Sequence, residues 1–313
     1  MTDTTIVVVS YDTRDLALAA LAAARAAAGP HTAVVAVDNG SADGTPEAVR
    51  AAFSDVAVLV NPDNPGYGAA INRAAAARPA AYLCAMNADV ILEPGCLPTL
   101  RRFLETHPDH GLAGPALVYP GGAPQASCKR FPTLGVALGE LFGVHSLAPR
   151  NRWQRRFYCE DLDLAREATV DTVSGAVLLI RGDAFRRIGG FDPAFRMYFE
   201  EIDLCRRLRD AGLRVGFCPA ARAVHHHGAS TVQTSVRQVA YYLSYVRYFA
   251  KHHGPAAAAA LRAAVALSTL GRMAALPLKY PPLDRRRAAL LVAKEGACAR
   301  LLRGLGAPAA TRA

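Results

Sequence analysis

Four short apolar runs, separated by helix-like stretches and each ending in polar residues, most restrict the folds open to this chain. Thr5 to Ser10 is a β-branched strand, and Leu16 to Ala28 is alanine-rich with helical character. Ala33 to Val37 is a second strand, and Thr45 to Phe53 a helix with Asp43-Gly44 before it as start signals. Val56 to Val60 is a third strand, Gly68 to Ala77 a helix, and Tyr82 to Met86 a fourth strand running into Asn87-Ala88-Asp89. Strand–helix alternation at this spacing means βαβ units, hence an α/β chain with a mainly parallel, Rossmann-like central sheet. Such sheets bind ligands at the carboxyl ends of their strands. The polar residues Ser10-Tyr11-Asp12, Asp38-Asn39, Asn61 and Asn87-Ala88-Asp89 sit at those ends. Any one of these is an ordinary turn; four in succession argue for a site.

Farther along, residues 120–172 read as a long irregular stretch, with a basic-aromatic cluster from Arg150 to Arg156 around Trp153, the only tryptophan. Val173 to Ile180 reads as another buried strand. Then Glu200, Glu201 and Asp203 fall within four positions, just after the turn-like Gly189-Gly190-Phe191-Asp192-Pro193. Apolar Ile202, Leu204 and Leu208, with Arg206, Arg207 and Arg209, predict a helix starting near Glu200. Acids in a first turn suit the positive end of the helix dipole, and capping accounts for one or two of them. Their company adds more. Asp89 after a strand, a carboxylate-rich helix start and the run His225-His226-His227 are the parts of a divalent-metal site with a nearby general base. In a strand, His225 and His227 share a face and His226 points away.

Composition narrows the classes. No run of about 18 apolar residues lacks a charge, so nothing reads as a spanning helix. Met1-Thr-Asp-Thr-Thr5 leads straight into a strand without a signal-peptide pattern. Seven cysteines show no Cys-x-x-Cys pair, which argues against structural zinc and a disulfide framework and fits a reducing cytoplasm. The net charge of +10 divides unevenly: residues 1–230 hold 23 Lys and Arg against 24 Asp and Glu, and residues 231–313 hold 13 against 2. Character changes there too. Tyr241, Tyr242, Tyr245 and Tyr248 sit at helical spacing, Pro255 to Leu276 is nearly all Ala, Leu and Val, Pro277 to Pro282 is expected to break it, and Leu283 to Leu305 is a basic helix candidate. The expectation is two parts, 1–232 and a basic helical extension at 233–313. That extension fits helices lying on an anionic membrane surface, or a bland helical extension that packs on the domain or forms a homodimer. Few aromatics interleave with the basic residues after position 249, so nucleic acid is not the expected partner.

The turn Ser10 to Asp15 has no glycine, so it is neither a dinucleotide fingerprint nor a Walker loop, which also counts against a nucleotidyltransferase. A nucleotide would be gripped by side chains and a metal. Asp38 can accept from a base imide N–H, and Asp89 can hold a cation bridging two phosphates.

Several segments carry a resemblance: Val37-Asp-Asn-Gly-Ser-Ala-Asp-Gly44, Asn64-Pro-Gly-Tyr-Gly-Ala-Ala-Ile-Asn72, Leu83-Cys-Ala-Met-Asn-Ala-Asp-Val90 and Val173-Ser-Gly-Ala-Val-Leu-Leu-Ile-Arg181. Gly189-Gly-Phe-Asp192, Tyr198-Phe-Glu-Glu-Ile-Asp-Leu204 and His225-His-His-Gly-Ala-Ser230 complete the set. In this order, over roughly residues 4–232, the chain resembles the family 2 glycosyltransferases and their rhamnosyltransferase-like branch. The resemblance implies a GT-A fold and an inverting transfer from a nucleotide-diphosphate sugar, with Mg2+ or Mn2+. It implies that Asp38 contacts the base with Ser10, Tyr11, Asp12 and Asn39 beside it, and that Asn64, Gly66, Gly68 and Asn72 form the nucleotide-side loop. Asp89 matches the last acid of an Asp-x-Asp motif and is the implied metal ligand, while Asn87 stands where the first acid would be. Glu201 matches the catalytic base, as Glu where the family has Asp; Asp203 is its rival, and Glu200 supports the helix start. His225 matches a further metal ligand, with His227 as its competitor. Gly175 and Glu200 fall on the acceptor side. The expected acceptor is a cell-surface glycan or a polyprenyl-diphosphate-linked sugar, and dTDP-rhamnose is favoured as donor over a UDP-sugar. Departures at Asn87 and Glu201 leave a catalytically silent scaffold of the same fold as the alternative.

Overall fold

The computed structural model describes residues 2–144, 151–226, 234–279, 296 and 298–305. The first half forms as its alternation requires. It runs β1 (Thr4–Ser10), α1 (Arg14–Ala27), β2 (Thr32–Asp38), α2 (Thr45–Ala52), β3 (Ala57–Val60), α3 (Tyr67–Ala77) and β4 (Tyr82–Asn87). Then come β5 (Val90–Leu92), α4 (Cys96–Thr106), β6 (His110–Val118), β7 (Cys128–Lys129), α5 (Leu134–Leu141), α6 (Arg152–Phe157), β8 (Ala168–Val170) and β9 (Thr172–Val173). β10 (Val177–Arg181), α7 (Gly182–Arg187), α8 (Glu200–Asp210), β11 (Arg214–His225), α9 (Thr234–His252) and α10 (Gly254–Lys279) follow. The stretch at 120–172 is thus built of short elements rather than irregular throughout.

Two compact units result. One comprises Met1–Phe131, Arg155–Arg196 and Glu200–Thr231; the other comprises Pro132–Gln154, Met197–Phe199 and Val232–Ala313. The second unit therefore takes in more than the C-terminal quarter.

In the first unit the sheet order is β3-β2-β1-β4-β10-β6-β11-β5, with β8 also on β11. β3, β2, β1 and β4 run parallel, as do β6 and β11. β10 joins the two parallel runs antiparallel to both, and β5 and β8 pair antiparallel with β11. Every residue of β1 is buried, as a central strand covered on both faces requires. Ile6 and Val8 pack with Ala17, Leu21 and Ala24 of α1, whose small residues let the helix sit close to the sheet. The register sets Ser10 opposite Asp38 and Val9 opposite Asn87, so these polar strand ends lie side by side.

One expected strand is broken. Val173 to Ile180 is not continuous: Thr172–Val173 pairs with β7 in a small separate sheet, and Val177–Arg181 joins the main one. Between them the backbone turns, with Ser174 N–H donating to the Ser127 carbonyl and the Ala176 carbonyl accepting from Asn87 N–H. Glycine inside an apolar run marks such a break, and Gly175 is that residue.

In the second unit α10 packs against α9 and α5. Tyr245, Tyr248, Phe249, Leu261 and Val265 are buried, and the Phe199 and Tyr245 rings lie 4.6 Å apart, tilted by 34°. The proline expected to break the last long helix at 277 lies inside it, since α10 continues to Lys279. A proline in a final turn forgoes one backbone bond and leaves the preceding turns intact. Of the basic helix candidate after it, residues 298–305 are helical and 280–295 lie outside the described residues.

Candidate active site

The strand ends converge as sequence reasoning expects, but they spend their polar atoms unevenly. Asp38 is 2% exposed, and its carboxylate takes four internal hydrogen bonds. Gly40 and Ser41 N–H donate to Oδ1 at 3.0 and 2.8 Å, and the Ser10 and Ser41 hydroxyls donate to Oδ2 at 3.2 and 2.5 Å. That fills a carboxylate's usual acceptor sites, so a base imide would replace one of the hydroxyls. Asp12, at φ +48, accepts from Ala42 N–H at 2.7 Å, its own N–H donates to Ser41 Oγ, and half-buried Tyr11 sits between it and Ser10. Buried Asn39 links this loop onward: its Nδ2 donates to the Gly66 carbonyl at 3.4 Å, and its Oδ1 accepts from Asn61 at 2.7 Å.

The loop before α3 needs its glycines. Gly66 has φ +96, and a Cβ there would lie 2.2 Å from the Arg196 carbonyl oxygen; a Cβ at Gly68 would lie 2.7 Å from Phe191. Asn64 Oδ1 accepts from Gly66 N–H, and the Asn64 carbonyl accepts from the Arg196 guanidinium. Asn72, expected on the nucleotide side, has both ends of its amide occupied by protein. Nδ2 donates to the Phe191 carbonyl and Oδ1 accepts from Phe191 N–H, each at 2.8 Å.

The same turn is held from α8. Arg207 donates to the Ile188 carbonyl at 2.7 Å and to Asp203 Oδ2 at 2.8 Å. Asp203 is completely buried and ion-paired one turn along its own helix. The rival base is therefore closed to a substrate, and its carboxylate holds Arg207 against the turn. Asn72 and Arg207 together fix α3 and α8 to one segment, Ile188–Phe191, so the N-termini of those helices are set relative to each other.

Those N-termini bring Tyr67, Glu200 and Glu201 into one neighbourhood. Tyr198 and Phe199 have φ of +64 and +67, a costly conformation for large side chains, immediately before Glu200 opens α8. Burial pushes the Glu200 carboxyl well above the usual range, with the neighbouring Glu201 charge adding to the effect. Burial also raises Glu201, against which Lys129 on β7 acts as a favourable charge. A Cβ on Gly175 would lie 3.2 Å from the Glu201 Cβ, so the glycine leaves that side of the base open. Tyr67, first residue of α3, sits edge-on to Phe191 with ring centroids 5.9 Å apart. Burial and the charges of Glu200, Glu201 and Asp89 hold its phenol well above the ordinary range, so it stays a donor. Among the described residues, neither the buried Tyr67 hydroxyl nor the buried Glu200 Oε2 has a hydrogen-bonding partner. Two orphaned polar atoms in one acidic neighbourhood are a place for a polar ligand group.

Asp89 follows β4 and faces the end of β11. Its carbonyl accepts from His226 N–H, and its Oδ1 stands 3.5 Å from His225 Nε2. Gln125 orients that ring: its Nε2 donates to the His225 carbonyl at 2.6 Å, which turns its Oε1 toward His225 Nδ1 at 3.0 Å. A neutral imidazole that donates from Nδ1 presents its Nε2 lone pair to the carboxylate, and two facing lone pairs suit a shared cation. Among the described residues no third His, Cys, Asp or Glu joins them. A Mg2+-like ion held by one or two protein groups completes its shell with substrate phosphates and water. The donor set therefore fits a divalent ion. His227 lies outside the described residues. Asn87 ends β4 half-buried, its N–H tied to Ala176.

Three groups here escaped the sequence reading. Tyr67 lies inside a segment already singled out, but nothing in the pattern separates a ligand-facing phenol from a packing ring. Gln125 and Lys129 come from the stretch with no periodicity, and only their spatial neighbours give them meaning.

Comparison with known proteins identifies the family and the fold. Residues 5–189 match the family described as Glycosyl transferase family 2, and residues 146–280 match Glycosyl transferase family group 2. The chain is 34% identical over 213 residues to an N-acetylglucosaminyl-diphospho-decaprenol L-rhamnosyltransferase of Mycobacterium tuberculosis, covering 63% of this chain and 67% of that one. It is 44% identical over 63 residues to the rhamnosyltransferase WbbL of Escherichia coli, covering 20% of this chain and 24% of that one. In structure it is similar to a mannosyltransferase of Pyrobaculum calidifontis in complex with GDP-Man and Mn2+, with a TM-score of 0.58 at 18% identity over 97% of this chain and 84% of that one. It is also similar to GalNAc-T7 with UDP, GalNAc and Mn2+, with a TM-score of 0.57 at 14% identity over 79% of this chain and 48% of that one. These likenesses establish the GT-A fold. Taken with the family match, which spans more than half of the sequence, they place the chain in glycosyltransferase family 2, among the rhamnosyltransferase-like members.

Proposed function

We propose that the protein transfers a sugar, with inversion, from a nucleotide diphosphate donor to a hydroxyl of a lipid-diphosphate-linked or cell-surface glycan, and that Glu201 is the base. The observation that carries this reading is the Glu201 carboxyl, desolvated, facing Gly175 and flanked by the charge of Lys129. Direct displacement needs one carboxylate to take the acceptor proton on the face opposite the leaving group, and no covalent nucleophile. Asp89 and His225 would hold Mg2+ or Mn2+, whose charge offsets that of the departing diphosphate. Asp38, Asn39 and the Asn64–Gly68 loop form the nucleotide side, organised by the hydrogen bonds around Ser10 and Ser41. dTDP-rhamnose is the favoured donor and a decaprenyl-type diphosphate sugar the favoured acceptor class. The support is the name of the Mycobacterium tuberculosis relative, which specifies rhamnosyl transfer to such a lipid.

Calorimetric titration with nucleotide diphosphates, with and without Mn2+, tests the donor side. Metal-dependent binding of dTDP is the expected result; UDP in its place would change the base. No binding to any of them by the folded protein would favour the silent scaffold.

The orphaned pair Tyr67 and Glu200 fits a hydroxyl of the donor sugar. Tyr67→Phe removes one oxygen and keeps the ring against Phe191. It is expected to weaken dTDP-rhamnose by about two- to tenfold, the value of one hydrogen bond, while dTDP binds as before. Equal weakening of both would place the phenol on the nucleotide instead.

A further inference from the structure

The outward side of α10 has an unusual composition. Every exposed residue from Pro255 to Ala275 is Pro, Ala, Leu or Gly, with Ala256, Ala259, Ala263, Leu267, Leu270 and Ala274 recurring at helical spacing. Leu267 is 64% exposed and Leu270 52%. The polar residues are on the other side, where Ser268 and Thr269 are buried and Arg262 and Arg272 half-buried. A helix on a water-facing surface shows the reverse pattern. The apolar surface continues off the helix. Ser268 Oγ donates to the Leu141 carbonyl at 2.9 Å, anchoring α10 to the end of α5, and the next residues, Phe142 and Val144, are 49% and 42% exposed. Except for Tyr119, all the large hydrophobic side chains exposed among the described residues belong to this second unit.

We propose that this face of α10, with Phe142 and Val144 beside it, is a docking surface for an anionic lipid bilayer, on which the helix lies rather than crosses. Charge selects this occupant: residues 231–313 carry 13 Lys and Arg against 2 Asp and Glu, which an anionic surface attracts and a second copy of the same segment repels. By length and composition Gly254–Ala275 could cross a membrane. Its other side, however, is committed to protein. Arg272 donates to the Ser268 carbonyl and to the Tyr242 hydroxyl at 3.1 Å, and its guanidinium lies over the Tyr242 ring. A helix with one side packed and the other bare buries only the bare side, at the level of the headgroups. The proposal does not rest on the donor or acceptor reading, although an enzyme docked this way would meet a lipid-linked acceptor at its headgroup.

The test is flotation of the full chain with vesicles of phosphatidylglycerol and phosphatidylcholine, against phosphatidylcholine alone. Binding to the anionic vesicles, weaker in high salt, is expected. Leu267→Glu/Leu270→Glu and, separately, Ala263→Glu should each reduce it by about tenfold or more with unchanged thermal melting, because they place carboxylates at exposed positions on the docking face. Three results would overturn the proposal: no flotation of the wild-type chain, flotation of well-folded variants at wild-type level, or a wild-type dimer that the glutamates dissociate without any vesicle binding. The last would assign the face to a second copy.

Discussion

Glu201→Gln is expected to lower the rate of transfer by about 10²- to 10⁴-fold, the usual worth of a general base, while the affinity for the nucleotide diphosphate stays unchanged. The substitution keeps shape and removes the one property that matters, a carboxylate able to take a proton. Single-turnover transfer together with calorimetry separates the two effects. Asp203→Asn provides the contrast. It breaks the buried pair with Arg207 and loosens the turn at Ile188, so it should lower the melting temperature first and activity only through that loss. A Glu201→Gln enzyme that transfers at near wild-type rate, beside a folded and inactive Asp203→Asn, would move the base by two residues.

The same burial predicts two pH effects of opposite sense. In the proposed role Glu201 works only when ionised, and burial raises its midpoint, so turnover should fall with decreasing pH above the normal glutamate range. Lys129→Gln should shift that limb to still higher pH. For stability the direction reverses. A carboxyl whose pKa is raised by folding favours the folded state in its protonated form, and this contribution is lost as pH rises through the folded value. Glu200 and Glu201, both raised, therefore cost stability at neutral pH. Glu201→Gln should melt higher than wild type at neutral pH, with the gap closing in acid. An inactive variant that is more stable is the signature of a strained catalytic group.

How much of this was legible in the residues depends on what kind of signal each part leaves. The βαβ core was readable because burial on both faces demands continuous apolar runs, and polar strand ends interrupt them visibly. The start of α8 was readable from its acids and the apolar spacing behind them. Partners were not. Asn72 and Asp203 look like ligand-handling residues by type, yet each is consumed by protein, one by Phe191 and the other by Arg207. For Asn72 nothing local distinguishes a side chain facing a ligand from one facing a turn more than a hundred residues away, whereas Asp203 and Arg207 stand four apart on one helix, a spacing that does pair them. Gln125 shows the converse: it lies 100 residues from His225 in a stretch without periodicity, and only the fold makes it the group that orients the ring. The basic helical extension was legible from charge and composition, with membrane, packing and dimer left open; only the fold shows which side of α10 is left bare, with Leu267 and Leu270 on it. The break at Ser174-Gly175 carried a usable signal, a glycine within an apolar run.

Asp89→Ala is expected to abolish the dependence of nucleotide diphosphate binding on Mn2+, lowering affinity for the metal complex by about two orders of magnitude or more, because it removes the only carboxylate of the pair. The effect should be graded outward from that oxygen. His225→Ala leaves the carboxylate in place and should cost less. Gln125→Leu touches neither ligand, yet it frees the imidazole to turn and removes the acceptor that keeps its proton on Nδ1. A loss of about 10- to 100-fold in metal affinity is the usual consequence of removing such an orienting partner. Calorimetry with Mn2+ and dTDP measures all three without reference to turnover, so the ranking is read with no acceptor in the cell. A Gln125→Leu protein that binds the metal complex like wild type would show that the ring needs no orienting. An Asp89→Ala protein that still needs Mn2+ for binding would show that the ion sits elsewhere, and the facing lone pairs of Asp89 and His225 would then have to be explained as a protonated ion pair.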